Sequence, residues 1–281
     1  MSVRKRLDLQ KFVSPANDKK TAFYGWYLYK HGYSRQMVFE MLNMLGIKKA
    51  QTVLDPFCGG GTTLLATSEK GVNSVGYDIM PFAVFVTNAK RHQPKVEEIE
   101  KIEKRFTDSL LFVKNGKARF DVETIHKAFT PSVLSFLVTL RHEIGEIRNS
   151  RVRNFFLLAF LRTADFASIA KKDGGFLRIT NEGVTNKRKV FDYFKKTLGE
   201  MKRDIFIPGI RFTGNSTAHL GDSRSFQDEG DYDAVISSPP YPNRHDYTRV
   251  YLLEEVLGFG DNNSKIKKLR YAVPHLRFGQ V

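Results

Sequence analysis

The sequence predicts an α/β fold in which a parallel sheet is interrupted by a long helical insertion. Three observations carry that prediction. A strand, a glycine loop, a helix and a second strand follow one another within 51–78, and so short a helical crossover joins parallel strands. From 92 to 212 the apolar residues recur mainly at helical spacing. At 216–222 and 232–238, short apolar runs ending in the turn-formers GD and SPP bring the strand pattern back. The layout is a Rossmann-like sheet carrying a helical, basic insertion.

Taken in order, residues 1–22 are polar and basic and read as a flexible lead-in. An aromatic cluster opens 23–45, followed by Met37, Val38, Met41, Leu42 and Leu45 at helical spacing, with Ser34 as N-cap. QTVLD at 51–55 is a short β-branched strand that runs straight into PFCGGGTT. TTLLATSEK is helical and Gly71 can end it, after which SVGYD at 74–78 forms the next strand. Within the insertion, 129–147 and 152–170 read as helices, 171–190 as a basic, glycine-containing loop, and an amphipathic helix runs from 190. The chain divides into a flexible N-terminus at 1–22, a first sheet part at 23–91, the insertion at 92–212, a second sheet part at 213–260 and a tail at 261–281.

With 41% hydrophobic residues, a chain of 281 residues can bury a sizeable core. Forty-five Lys and Arg against 30 Asp and Glu leave +15, an excess that suits a polyanionic partner. Cys58 is the single cysteine, so no intramolecular disulfide forms, and no Cys/His cluster has zinc spacing. No apolar run reaches the ~18 residues needed to span a membrane, and the basic N-terminus has no apolar core behind it. The expectation is a cytoplasmic, metal-independent protein.

DPFCGGGTT at 55–63 follows a strand and opens a helix, where glycines let a ligand approach the backbone and free N–H groups attract polar groups. Asp78 ends the second strand, the place from which an acid binds ribose hydroxyls. A Walker loop is a poor fit because no Lys precedes Thr62 and Thr63, and Gly59-Gly60-Gly61 does not supply GxGxxG. The residues resemble S-adenosylmethionine-dependent DNA amino-methyltransferases, whose first motif commonly reads DPFxGxGTT. That resemblance implies a methyltransferase sheet with S-adenosylmethionine as cofactor. Asp55, Phe57, Gly59 and Gly61 would line its methionine end, Asp78 would hold the ribose, and Asp222 of HLGD would take the adenine amino group. Tyr33 and Ser34, ahead of the first strand, would close the methionine side.

The second motif is SPPY in VISSPPYPNRHDYT at 235–248. Two prolines after an apolar strand fix a rigid turn at its carboxyl end, where open α/β sheets bind ligands. An exocyclic amino group is a poor nucleophile because its lone pair is delocalised into the base. Ser238 and a carbonyl from Pro239 or Pro240 can accept its hydrogen bonds and localise that pair, while Tyr241 stacks on a flipped base. The Ser form of the tetrapeptide is linked in the family most often to N4 of cytosine, with N6 of adenine the alternative. Methylation at carbon 5 needs a cysteine in this motif, and Cys58 lies elsewhere.

The resemblance makes the partner double-stranded DNA, in a restriction-modification setting. Lys187, Arg188, Lys189, Lys195, Lys196, Lys202 and Arg203, interleaved with Phe191, Tyr193 and Phe194, form a candidate phosphate-contacting run, and Asn243 and Arg244 follow the tetrapeptide. In the family three more strands follow SPPY, whereas 249–281 offers one helix, a polar stretch and a short tail. The expectation is that the C-terminal strands are missing: the chain is one part of a split enzyme completed by a complementary C-terminal methyltransferase subunit, or a truncated remnant. An RNA methyltransferase and a non-catalytic DNA-binding subunit are the rival readings.

Overall fold

The structure, a computed structural model, describes residues 7–30, 32–113, 120–180, 182–184, 186–206, 209–225, 230–240 and 246–260. In chain order its elements are α1 (Arg35–Leu45), β1 (Thr52–Asp55), α2 (Thr62–Glu69), β2 (Asn73–Asp78), α3 (Pro81–Arg91), α4 (Val96–Glu103) and α5 (Glu123–Ala128). There follow α6 (Pro131–Gly145), α7 (Ser150–Ala167), β3 (Ala170–Asp173), β4 (Phe176–Ile179), α8 (Lys187–Asp204), β5 (Ser216–Leu220), β6 (Ala234–Val235), α9 (Tyr247–Val250) and α10 (Leu252–Phe259). They fall into two compact units.

The first unit holds Met1–Ile79, Ala83–Arg91 and Ile207–Pro239. Its four-stranded sheet runs β5-β2-β1-β6, and β1 pairs in parallel with both β2 and β6. Chain order reverses between β1 and β6, the switch point at which open α/β sheets form a ligand crevice. Val53, Val38, Phe39, Leu42, Ala66, Val72 and Ile236 form the core between the sheet and helices α1 and α2. Both helices end as their glycines require. Gly46 and Gly71 take φ of 67° and 75°, and the next residues, Ile47 and Val72, donate back to Leu42 and Thr67 at 3.0 and 2.9 Å.

The outer edge of β5 is closed by a side chain. Asn88 donates to the Ala218 carbonyl at 2.8 Å and accepts its N–H at 3.1 Å, so one amide stands in for a further strand. Arg91 adds bonds to Ser216 Oγ and Gly214 O, both at 2.9 Å.

Two expectations for this unit change. Residues 7–22 are not a flexible lead-in but form 3-10 turns at Leu7–Phe12 and Pro15–Asp18. Ser34 occupies the N-cap position of α1 without capping it: its hydroxyl donates to Phe12 O at 2.9 Å, and Asp18 Oδ2 takes the Arg35 N–H at 2.6 Å. A carboxylate from a distant turn caps better than the local serine because it also favours the helix dipole.

The second unit holds Met80–Phe82, His92–Phe206 and Pro240–Val281. Thr130, Asn149 and Asn186 cap α6, α7 and α8, each side chain accepting a first-turn N–H. The core is aromatic, with Phe156 stacked on Phe106 at 4.9 Å and Phe191 and Phe194 fully buried. Residues 171–190 are not a loop throughout, since β3 and β4 form an antiparallel hairpin within them. Its two-residue loop starts at Gly174 with φ 56°, the positive angle such hairpins need. Helices α9 and α10, expected with the second sheet part, cluster with this unit. Lys172 is buried between Asp165 at 2.6 Å and Glu254 at 2.5 Å, so Asp165 pairs with Lys172 and Arg162 with Glu200. Among the described residues no helix is long and apolar enough to cross a membrane.

Replacing Asn88 with Ala would strip the buried Ala218 N–H and C=O of their partners. The expected loss is about 2 kcal/mol, read from urea unfolding.

Candidate cofactor and catalytic site

Asp55 ends β1 and is only 2% exposed. Its Oδ1 accepts the Phe57 N–H at 3.1 Å and the Ser237 hydroxyl at 2.8 Å, and its Oδ2 accepts the Thr63 hydroxyl at 2.6 Å. Thr63 gives its proton to Asp55, so the Tyr33 hydroxyl donates to Thr63 Oγ1 in turn. One carboxylate thus ties together the turn after β1, the start of α2, the turn after β6 and the segment ahead of α1. Burial pushes the Asp55 carboxyl up to about 6, against the lowering effect of its three donors. Burial, with Asp55 nearby, holds the Tyr33 phenol well above its ordinary value and keeps it a donor.

The glycine loop is held from two sides. Asp78 Oδ2 accepts the Gly59 N–H at 2.9 Å, and Cys58 N–H donates to Tyr77 O at 2.9 Å, which fixes the loop to the end of β2. From α3, Thr87 donates to Gly59 O at 3.0 Å, and Lys90 donates to Gly60 O at 3.3 Å and Tyr27 O at 2.7 Å. Desolvation lowers the Lys90 ammonium to about 7, with Asp18 opposing. Gly59 and Gly61 adopt φ of 49° and 81°.

The protein's own packing also calls for glycine at 60 and 61. A Cβ on Gly60 would lie 2.4 Å from Tyr29 Cβ, and one on Gly61 2.5 Å from Thr87 Cγ2. Close approach here is by the protein's own side chains, with Tyr29 laid along the loop. Cys58 packs beside Gly76, where a Cβ would meet Cys58 Cβ and Leu64 Cδ1 at 2.8 Å, and burial pushes its thiol well up. It is a space-filling residue.

Asp55, Phe57, Gly59, Gly61, Asp78, Tyr33 and Ser238 all lie at or near the carboxyl ends of β1, β2 and β6 within the first unit. Asp222 follows β5, where Gly221 N–H donates to Asp78 O at 3.0 Å, but Arg224 grips its carboxylate at 2.5 Å. Ser34 does not join the group, because its hydroxyl points to Phe12. Ser238 is half-buried, Pro239 is exposed, and Pro240 falls in the second unit. Tyr241, Asn243 and Arg244 lie outside the described residues. Sequence reasoning missed Thr63 and Ser237, both legible beside their motifs, and Tyr29, Thr87 and Lys90, whose roles exist only in three dimensions.

The basic run on α8 is less available than its charge suggests. Arg188 and Lys195 meet Asp108 at 2.6 and 3.4 Å, Lys196 meets Glu200 at 3.9 Å, Lys202 meets Glu103 at 2.7 Å, and Lys187 donates to Leu111 O. Phe191 and Phe194, taken from the sequence as interleaved surface aromatics, are core residues, and Tyr193 stacks on Phe166 at 3.8 Å. A helix with an amphipathic period turns those positions inward.

The sequence has relatives among known proteins. A family model described as DNA methylase, covering N6 and N4 enzymes, matches residues 10–89, the stretch that builds the glycine loop and Asp78. Over that stretch the chain is similar to the DNA amino-methyltransferases. It is 28% identical to the Type II methyltransferase M.BsoBI of Geobacillus stearothermophilus, across 94% of the chain and 58% of that protein. It is 26% identical to the Type II methyltransferase M.AvaI of Nostoc sp., across 90% and 58%. Against M.MjaII of Methanocaldococcus jannaschii, identity is 33% over 28% of the chain and 15% of that protein. The chain spans 58% of the length of the two relatives it matches along most of its own. No solved structure matches it. Family members use S-adenosylmethionine.

The raised Asp55 value has a measurable consequence. Its folded carboxyl titrates near 6 against an ordinary 3.8, so the folded state holds this proton more tightly. The associated stability is present below about pH 4 and is lost as pH rises through about 6, up to about 3 kcal/mol. Subtracting the unfolding free energy of Asp55→Asn from that of the parent cancels other titrations. That difference is expected to move against the parent between pH 4 and 6 and to stay level above; a flat difference contradicts the assignment.

Proposed function

We propose that this chain transfers a methyl group from S-adenosylmethionine to the exocyclic amino group of a base in double-stranded DNA, with N4 of cytosine the favoured position. The observation that carries the reading is the Asp55–Ser237 hydrogen bond of 2.8 Å, which joins the cofactor loop to the residue before Ser238. Binding site and tetrapeptide thereby share one buried carboxylate.

The residues present fit the cofactor. Asp78 has one oxygen on Gly59 N–H and its carboxylate at the carboxyl end of β2, where it accepts from ribose hydroxyls. Asp222, held by Arg224, accepts from the adenine amino group. Asp55, Phe57, Gly59, Gly61 and Tyr33 bound the methionine side. S-adenosylmethionine supplies a methyl group on a sulfonium, open to in-line displacement. Ser238 and the carbonyl of Pro239 or Pro240 accept the amino hydrogens and localise the nitrogen lone pair, and Tyr241 stacks on the flipped base. Catalysis is then positioning and electrostatics, with no covalent enzyme intermediate.

The cysteine inventory supports amino methylation over methylation at carbon 5, since Cys58 is buried beside Gly76. The Ser of the tetrapeptide is what favours cytosine over adenine. Lys189 is exposed on α8, and with Lys196, Asn243 and Arg244 it contacts phosphates. A cytoplasmic place beside a restriction enzyme goes with this reading, as does a complementary subunit.

Ser238→Ala is expected to lower methyl transfer by about 100-fold with cofactor affinity unchanged. Asp78→Ala is expected to weaken cofactor binding at least about tenfold. Labelled S-adenosylmethionine with unmethylated DNA reads the first, calorimetry the second, and nucleoside mass spectrometry identifies the base. Running the transfer assay with this chain alone and with the product of the adjacent gene distinguishes an activity of one polypeptide from one shared by two. Label found only in RNA, or full turnover by Ser238→Ala, overturns the reading.

A further inference from the structure

The β3–β4 hairpin of the second unit presents two cations on one face. Its register pairs Lys171 with Arg178 and Asp173 with Phe176, and Ala170 with Ile179 and Lys172 with Leu177. Alternation therefore puts Lys171, Asp173, Phe176 and Arg178 on one face. The opposite face is the anchored one: Ala170 is buried, and Lys172 lies buried between Asp165 and Glu254 and over the Tyr251 ring at 5.1 Å.

On the outer face two cations stand directly opposite each other, an arrangement that destabilises a ladder by itself. Asp173 answers only one of them, meeting Arg178 Nε at 2.9 Å, while Lys171 Nζ reaches Ser168 O at 2.9 Å. The Arg178 side chain is 61% exposed and Phe176 is 51% exposed. The loop at the tip is two glycines, and a Cβ on Gly174 would meet nothing within 4 Å. A narrow, glycine-tipped two-stranded ribbon has the width that a DNA groove admits.

We propose that the outer face of this hairpin seats on duplex DNA, Lys171 and Arg178 on the sugar-phosphate backbone and Phe176 in apolar contact within the groove. A polyanion relieves the Lys171–Arg178 repulsion, and a chain of net charge +15 is complementary to it. The proposal rests on the DNA reading above and names the element that makes the contact.

The test is equilibrium binding of this chain to a short random-sequence duplex between about 50 and 200 mM salt. Lys171→Gln/Arg178→Gln is expected to weaken binding about tenfold and to lower the slope of log affinity against log salt by about two. Phe176→Ala is expected to weaken binding several-fold with the slope unchanged. The thermal midpoint of both variants is expected to stay near the parent's, because Phe176 and Arg178 are exposed and half-buried Lys171 gives up a single bond to Ser168 O. Parent-like affinity and slope in the double variant overturn the hairpin proposal and leave the methylation reading standing. A lowered thermal midpoint that accounts for the lost binding also overturns it. A parent chain that binds no duplex, while still binding cofactor, removes DNA as the substrate and the hairpin proposal with it.

Discussion

The site depends on a carboxylate with almost no access to water. Asp55 collects a backbone N–H and two hydroxyls, and each donor comes from a different piece of chain. Burying an acid in this way is costly, and burial outweighs three donors in raising the carboxyl to about 6. What the burial secures is geometry. The carboxylate accepts from Phe57, Thr63 and Ser237 only when the turns after β1 and β6 stand in one arrangement. Removing a partner from such a buried network typically costs several kcal/mol, so alternatives are disfavoured. The network also sits at the switch point between β1 and β6, where the sheet leaves a crevice.

A second constraint comes from α3. Along its last two turns, Thr87, Asn88, Lys90 and Arg91 point respectively at Gly59, Ala218, Gly60 with Tyr27, and Gly214 with Ser216. One helix thereby sets the glycine loop, the outer edge of β5 and the N-terminal segment. Tyr29 then lies on the loop, and its approach excludes a side chain at Gly60. Lys90, lowered to about 7 by desolvation, thus joins the glycine loop to the N-terminal segment through two carbonyls.

Much of the fold was legible because local rules suffice for it. The βαβ unit at 51–78 announces itself by a β-branched run, a glycine turn and an apolar helix, and Gly71 stops α2 as its position implies. The helices of the insertion were visible from spacing, with ends within a few residues of α6, α7 and α8. The hairpin was not. KKDGGFLRIT is too polar to read as strand, and it becomes one because Lys172 is drawn into a buried pair with Asp165 and Glu254. The aromatics of α8 misled for a related reason: a charged helix hides its Phe residues on one face.

By itself the sequence determined the glycine loop, the acid at the end of β2 and the SPPY turn, since each is a short run of residues whose chemistry is local. It also determined that Cys58 lies outside the second motif. Only the tertiary structure decided which side chains serve those motifs. Ser237 and Thr63 meet on Asp55, Tyr33 joins them and Ser34 does not, and Asp18 caps α1 from a turn expected to be flexible. These contacts join residues as many as 182 positions apart, so no local spacing encodes them; they follow from which polar groups burial leaves facing one another.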